Sequence, residues 1–165
     1  MNAVLKDVGE IDRRTYLGGS DAAAILGLDP YGKTPLTVYM AKSGELQGIT
    51  DPDKLLFLKR RKRWEEPIVA MLREEFGGEI LAMNARYTDQ EHDFLAAEID
   101  FEWADDDGTI QNGEIKTVSP FAFNENAGWG DAGTDQVPIH YHAQVMLGLG
   151  VTGRNVCVLA ALAGL

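Results

Sequence analysis

The spacing of apolar and polar residues along the chain predicts helices in the first half and strands in the middle. Capping and stop signals mark the ends of three helices, which cover residues 19–27, 35–44 and 52–76. Thr34 and Pro35 suit the N-cap and first position of the second helix, while Gly77-Gly78 ends the third. Pro67 predicts a bend in that long third helix. Three helices are therefore expected before any strand.

After Gly78 the pattern changes to short apolar or alternating runs, which are typical of strands. The runs at residues 79–83, 94–103 and 109–118 predict an antiparallel meander. Residues 119–136 are rich in Gly, Asn, Asp and Pro, which is typical of a functional or mobile loop. A helix over 138–149 and an apolar strand over 155–162 follow. The predicted fold class is α/β (α+β): a central mixed sheet is flanked by helices, and helices come first along the chain, followed by a β-meander.

The chain contains no internal repeat and no long linker, so we expect a single domain over residues 1–165. The apolar run at 155–162 needs cover on its faces, yet the sequence stops at Leu165. We therefore expect either that a C-terminal piece is missing or that a neighbouring subunit covers this strand.

Composition removes several classes of protein. The single cysteine, Cys157, excludes an internal disulfide framework, a cysteine zinc site and a four-thiolate iron–sulfur cluster. No apolar stretch is long enough to cross a membrane, and the first residues lack a signal-peptide pattern. We therefore expect a cytoplasmic protein without a membrane partner, whose metal ligands would be oxygen or imidazole.

The net charge of −11 is unevenly distributed along the chain. Residues 1–90 hold 14 acidic and 13 basic side chains, whereas residues 91–165 hold 12 acidic and two basic ones. Five consecutive cations, Lys59, Arg60, Arg61, Lys62 and Arg63, repel one another and would be stabilised by an anion. The overall charge counts against nucleic-acid binding, but its distribution leaves a basic helix within a first half that is close to neutral.

Two carboxylates and a lysine are predicted to meet on neighbouring strands. A hairpin brings Asp100 beside Glu114, and the two-residue period of a strand puts Glu114 and Lys116 on one face while Ile115 points into the core. Paired carboxylates suit Mg²⁺ or Mn²⁺, and a nearby lysine can orient water and offset negative charge in phosphodiester hydrolysis. On its own, an acid-x-Lys triplet is a weak signal.

Four stretches, one of which contains this triplet, give it a context: the segment from Leu17 to Leu28 with its Gly-Gly-Ser-Asp start, Trp64-Glu65-Glu66-Pro67, Ile99-Asp100 with Gly113 to Thr117, and Pro138 with Tyr141 and Gln144. In this order, they resemble the YqaJ/lambda-type exonuclease family, the phage recombination nucleases of the PD-(D/E)xK superfamily. The resemblance covers residues 13 to about 150 and implies a central mixed sheet like that of the PD-(D/E)xK nucleases. It departs from the family pattern at Arg63 and Phe101, where glycine is common.

The resemblance implies a role for each matching position. Glu66, Asp100, Glu114 and the Ile115 backbone carbonyl would bind Mg²⁺, with Mn²⁺ as an alternative, and Lys116 would be the catalytic lysine. Gln144 would accompany the active site. Two further sets are expected to bind phosphate or DNA: Ser20 with Arg13 or Arg14, and Tyr141. The five cations Lys59, Arg60, Arg61, Lys62 and Arg63 are expected to bind DNA because of their charge, although the run is heavier than is typical of the family.

The function implied by the resemblance is a metal-dependent 5′→3′ exonuclease that acts on duplex DNA ends. The implied setting is a phage or prophage protein in a bacterial host, assembled as a trimeric ring and working with a single-strand annealing recombinase. Two alternatives stay open: a non-catalytic module that binds DNA ends or a recombination partner, and an endonuclease or single-strand nuclease of the same superfamily.

Overall fold

The structure, a computed structural model, describes residues 12–46, 48–131 and 133–164 together with the backbone of Val4–Leu5. Its helices and strands, in chain order, are β1 (Val4–Leu5), α1 (Gly19–Ile25), α2 (Pro35–Ser43), α3 (Pro52–Lys62), α4 (Glu65–Phe76), β2 (Glu79–Thr88), β3 (Ala96–Ala104), β4 (Ile110–Val118), α5 (Ile139–Thr152) and β5 (Cys157–Ala163). The predicted class, a mixed sheet flanked by helices, is confirmed.

The five strands form one sheet in the order β1-β2-β3-β4-β5. Its first three pairings are antiparallel, as expected for a meander. The last pairing, between β4 and β5, is parallel because α5 carries the chain back across the sheet. The expectation that helices precede every strand is wrong in one respect, since the two-residue β1 pairs with the far end of β2.

The predicted long third helix is two helices, and the break does not lie at Pro67. Arg63 and Trp64 donate backbone hydrogen bonds to the carbonyls three residues earlier, which tightens and ends α3. Pro67 lies in the first turn of α4, where a backbone N–H has no helical partner and proline is tolerated. The start at Asp51-Pro52 and the stop at Gly77 agree with the prediction.

Helices α4 and α5 cover opposite faces of β4. Ile115 belongs to a buried cluster with Ile68 and Val69 of α4, whereas Glu114 and Lys116 bond to Gln144 of α5. Because successive side chains of a strand point to opposite faces, the two helices must lie on different sides of the sheet. The polar residues of β4 are thereby held between the sheet and α5.

Close packing fixes the register of β3 and β4. Phe101 is fully buried and stands opposite Gly113, and a Cβ atom at Gly113 would lie 2.4 Å from the Phe101 ring. Only glycine therefore fits at this position, one residue before Glu114.

In the part of the chain that the structure describes, no helix is long and apolar enough to cross a membrane.

Candidate active site

Three side chains on β4 and α5 form a closed set of hydrogen bonds. The Lys116 ammonium donates to Glu114 Oε1 at 2.5 Å and to Gln144 Oε1 at 2.9 Å, and the Gln144 amide donates to the same Glu114 oxygen at 2.5 Å. Strand alternation places Glu114 and Lys116 side by side, and the crossover helix brings Gln144, 28 residues beyond the lysine, against them. Each group restricts the rotamers of the other two.

Asp100 joins this set from the neighbouring strand. Its Oδ2 accepts a hydrogen bond from the Ile115 backbone N–H at 2.8 Å, so its carboxylate lies beside the segment that carries Glu114 and Lys116. The structure therefore brings together four of the residues expected at the site, from β3, β4 and α5.

Burial makes ionisation of the two carboxylates costly. The pKa of Glu114 is raised to about 7 because burial removes water from its charged form; Lys116 opposes the rise and Asp100 adds to it. The pKa of Asp100 is raised mainly by burial, while the Ile115 N–H and Lys116 oppose that rise. The site thus holds desolvated carboxylates that a bound cation would stabilise.

A cavity of about 230 Å³ connects this set with the start of α1. Its wall includes Asp100, Glu114 and Lys116 together with Arg13 and Ser20. Arg13 Nη2 donates to Ser20 Oγ at 3.0 Å. A guanidinium and a hydroxyl held in this way can bind phosphate oxygens. We call this space the α1–β4 cavity.

Glu98 is an unpredicted acid in the α1–β4 cavity. It accepts a hydrogen bond from the Tyr16 hydroxyl, and its Oε2 lies 3.7 Å from Arg13 Nη1. Burial and this hydrogen bond raise the pKa of Tyr16 to about 12, so the phenol keeps its proton. Arg86 stands opposite Glu98 in the register of β2 and β3, and its guanidinium lies 4.0 Å from the Tyr16 ring centre. A carboxylate thus competes for the arginine expected to bind phosphate.

The structure places Glu65, rather than Glu66, next to Asp100. A second cavity, of about 360 Å³, is lined by Glu65 together with Asp100, Glu114 and Lys116. The pKa of Glu65 is raised by burial and by the charge of Asp100. Glu66 instead lines a separate groove along α4 with Val69, Ala70 and Met83. The start of α4 at Glu65 directs these two adjacent side chains in different directions.

The other predicted DNA-binding residues are dispersed. Arg14 pairs with Asp12 at 2.5 Å and does not line the α1–β4 cavity, so Arg13 is the arginine that contacts Ser20. The Tyr141 ring lies 5.0 Å from the Lys116 ammonium and can stabilise its charge.

The five cations of α3 and its end also separate. Arg61 donates to the Thr117 hydroxyl and, at 2.7 Å, to its carbonyl, which ties α3 to the end of β4. Lys62 lines the second cavity beside Glu65, whereas Arg60 lines a neighbouring hollow. Lys59 and Arg63 are exposed. Only part of the cationic run therefore faces the site.

The donor set suits a hard divalent cation bound by few protein ligands. Among the described residues, no group of three His, Cys, Asp or Glu side chains is close enough to hold a metal by itself. Asp100 and Glu114 form a carboxylate pair, with the Ile115 carbonyl on the same strand segment. Mg²⁺ is commonly held by one or two carboxylates, with water and substrate phosphate as its remaining ligands. The residues present therefore fit Mg²⁺ better than a closed all-protein cage.

Comparison with known proteins identifies the class to which this fold and site belong. The model of the YqaJ-like viral recombinase domain matches residues 10–155, and the chain is a member of that family. Over 148 residues it is 27% identical to the Bacillus subtilis (strain 168) protein described as "Uncharacterized protein YqaJ". That match covers 90% of this chain and 43% of the relative, so the chain spans less than half of the relative's length.

Sequence reasoning missed Glu65 and Glu98. Glu98 lies two residues before Asp100 on β3, and this spacing, which places both on one face of a regular strand, is the signal that could have found it. Nothing in the sequence separated Glu65 from Glu66, because the choice depends on where α4 begins.

The α1–β4 cavity also includes Cys157, whose pKa is raised to about 12 by burial and by the nearby carboxylates, so its thiol stays protonated.

Proposed function

We propose that this protein is a divalent-cation-dependent deoxyribonuclease that hydrolyses phosphodiester bonds at duplex DNA ends. The observation that carries the proposal is the closed set formed by Glu114, Lys116 and Gln144 beside Asp100, in a cavity that also contains Arg13. Membership of a family named for viral recombination supports a nucleic-acid substrate. The resemblance to the lambda-type exonucleases favours digestion of the DNA strand in the 5′→3′ direction.

Each residue has a role that follows from its contacts. Asp100, Glu114 and the Ile115 carbonyl would hold Mg²⁺ or Mn²⁺, and Glu65 is nearer to this pair than the expected Glu66. When bound, the cation would supply Lewis-acid polarisation of the phosphodiester. Lys116, held by Gln144 and Glu114, orients the attacking water and offsets the negative charge that develops on the phosphate.

Arg13 and Ser20 would hold a second phosphate in the α1–β4 cavity. They line that cavity together with Lys116, and their side chains already contact each other. A terminal phosphate bound there would set the position of the strand relative to Lys116. This arrangement favours an enzyme that starts at an end, because an internal phosphodiester carries one fewer negative charge than a terminal phosphate.

The decisive experiment compares wild type, Lys116→Ala and Lys33→Ala on end-labelled linear duplex with Mg²⁺. Lys33 is exposed and outside both cavities, so its variant controls for loss of a positive charge. We expect digestion by wild type and Lys33→Ala and loss of at least about a hundredfold in Lys116→Ala. Equal digestion by all three, or none by wild type with Mg²⁺ or Mn²⁺, contradicts the proposal.

Two further measurements distinguish related functions. Covalently closed circular duplex should resist digestion, because an exonuclease needs an end; nicking of the circle would instead indicate an endonuclease. Salt-sensitive DNA binding without turnover in wild type would indicate a non-catalytic end-binding module. The trimeric ring and the annealing-recombinase partner remain predictions, and the molar mass in solution tests the first of them.

A further inference from the structure

A hollow of about 360 Å³ lies between α3 and the end of β4. Its wall includes the aromatic side chains Phe57 and Trp64, the guanidinium groups of Arg60 and Arg61, and the strand end at Thr117. We call this space the α3 hollow. Neither its aromatic residues nor Arg60 has a role in the catalytic set described above.

The α3 hollow adjoins the proposed active site. Arg61 and Thr117 line both the α3 hollow and the second cavity, whose wall contains Asp100, Glu114 and Lys116. The two hydrogen bonds from Arg61 to Thr117 fix this shared wall. A DNA strand whose phosphate lies at Lys116 can therefore reach the α3 hollow with a neighbouring nucleotide.

The aromatic side chains of the α3 hollow are accessible to solvent. Phe57 is 59% exposed and Trp64 is 39% exposed, although rings of this size are usually buried in a folded protein. The other two tryptophans of the chain are buried. The Arg61 guanidinium lies 5.6 Å from the Phe57 ring centre, so a cation and an aromatic face are already paired there.

Charge and shape together indicate the ligand. Flat aromatic surfaces stack with nucleobases regardless of their sequence, and arginine binds the phosphates that link them. The α3 hollow contains both groups, and the adjoining Lys59 and Lys62 add positive charge that favours an anionic strand over an acidic or apolar protein surface. Its volume is also within the range of small-ligand sites, about 300–1,000 Å³.

We propose that the α3 hollow binds an unpaired nucleobase of the DNA strand, stacked on Phe57 beside Trp64, while Arg60 contacts the adjoining phosphate. This inference rests on the proposed nuclease function and adds that the strand is unpaired beside the cleavage site. It follows that DNA with frayed or single-stranded ends is bound more tightly than fully paired DNA.

Binding to a short oligothymidylate and to an abasic oligomer of equal length tests the proposal, with EDTA present to prevent cleavage. The two probes carry the same phosphates but differ in their bases. Phe57→Ala should weaken binding of the oligothymidylate about tenfold, the effect of losing one base stack, and leave the abasic oligomer unaffected. Arg60→Ala should weaken binding of both probes by the same factor.

Phe76→Ala is the matched control, because Phe76 is 66% exposed at the end of α4 and lies outside the α3 hollow. The exposed Trp64 supplies a direct signal: oligothymidylate should quench wild-type tryptophan fluorescence, and Trp64→Phe should lose most of that quenching. Both readouts are independent of catalysis.

Equal effects of Phe57→Ala on the two probes, or no effect on either, would overturn the proposal. A fall in molar mass of Phe57→Ala without any base-dependent change in binding would also overturn it, because the α3 hollow would then be a contact between copies of the chain. Base-dependent binding by a protein with no nuclease activity would contradict only the proposed function. Cleavage without base-dependent binding would contradict only this inference.

Discussion

The variant Glu114→Gln tests whether the active-site carboxylate destabilises the metal-free protein. Burial raises the pKa of Glu114 from 4.5 to about 7 despite the opposing charge of Lys116. Between these two pH values the folded protein keeps a proton that the unfolded chain releases. The free energy of unfolding therefore falls as pH rises through this window, and the fall stops above the folded-state pKa.

The size of the effect follows from the pKa of Glu114. A change from 4.5 to about 7 corresponds to roughly 3 kcal/mol of lost stability at pH 8 relative to acid, an order-of-magnitude figure. Glutamine has nearly the same shape but cannot ionise, so Glu114→Gln should escape most of this loss. Wild type should therefore lose stability relative to the variant as pH rises from about 5 to 8.

The assay is urea unfolding followed by circular dichroism in EDTA at a series of pH values. Glu75→Gln, which changes an exposed glutamate on the same protein, controls for the loss of one negative charge. Mg²⁺ should restore wild-type stability at pH 8 and have a smaller effect on Glu114→Gln. Parallel curves of the free energy of unfolding against pH for wild type and Glu114→Gln would refute the reasoning. The Glu114 carboxylate would then have the same pKa in the folded and the unfolded protein.

Three other changes have distinct expected outcomes. Gly19→Ala puts a Cβ atom 2.8 Å from Gln144 Cγ, so DNA cleavage should fall about tenfold or more while urea unfolding changes by less than about 1 kcal/mol. Arg154→Ala removes the ion pair of the buried Glu102 carboxylate, 2.8 Å away, and should cost about 3–5 kcal/mol in urea unfolding. Glu98→Gln frees Arg13 from a competing carboxylate. The preference for 5′-phosphorylated over 5′-hydroxyl duplex ends, measured by titration as the ratio of the two affinities, should therefore be several-fold larger in the variant than in wild type. An unchanged ratio would contradict the proposed binding of phosphate by Arg13.

Local signals were sufficient for most of the helices and strands. Thr34 accepts from the Thr37 N–H at 3.2 Å and caps α2 as its sequence predicts, and Gly44 ends that helix with a positive φ of 83°. The break between α3 and α4 was misplaced because a proline in the first turn of a helix carries the same sequence signal as a proline that bends one. Backbone hydrogen bonds at Arg63 and Trp64 make the distinction, and they are visible only in the structure.

The sequence by itself determined the residue types of the site: the carboxylates and lysine on two adjacent strands, the glycine and serine at the start of α1, and the family to which the chain belongs. Local periodicity is enough for these, since neighbouring strands and alternate residues are close in the chain. The tertiary structure decided which of Glu65 and Glu66 faces Asp100, that Gln144 closes the bonds around Lys116, and that Glu98 shares the cavity with Arg13. These contacts join residues up to 85 positions apart, and their geometry depends on how helices pack across the sheet, which no short segment of sequence encodes.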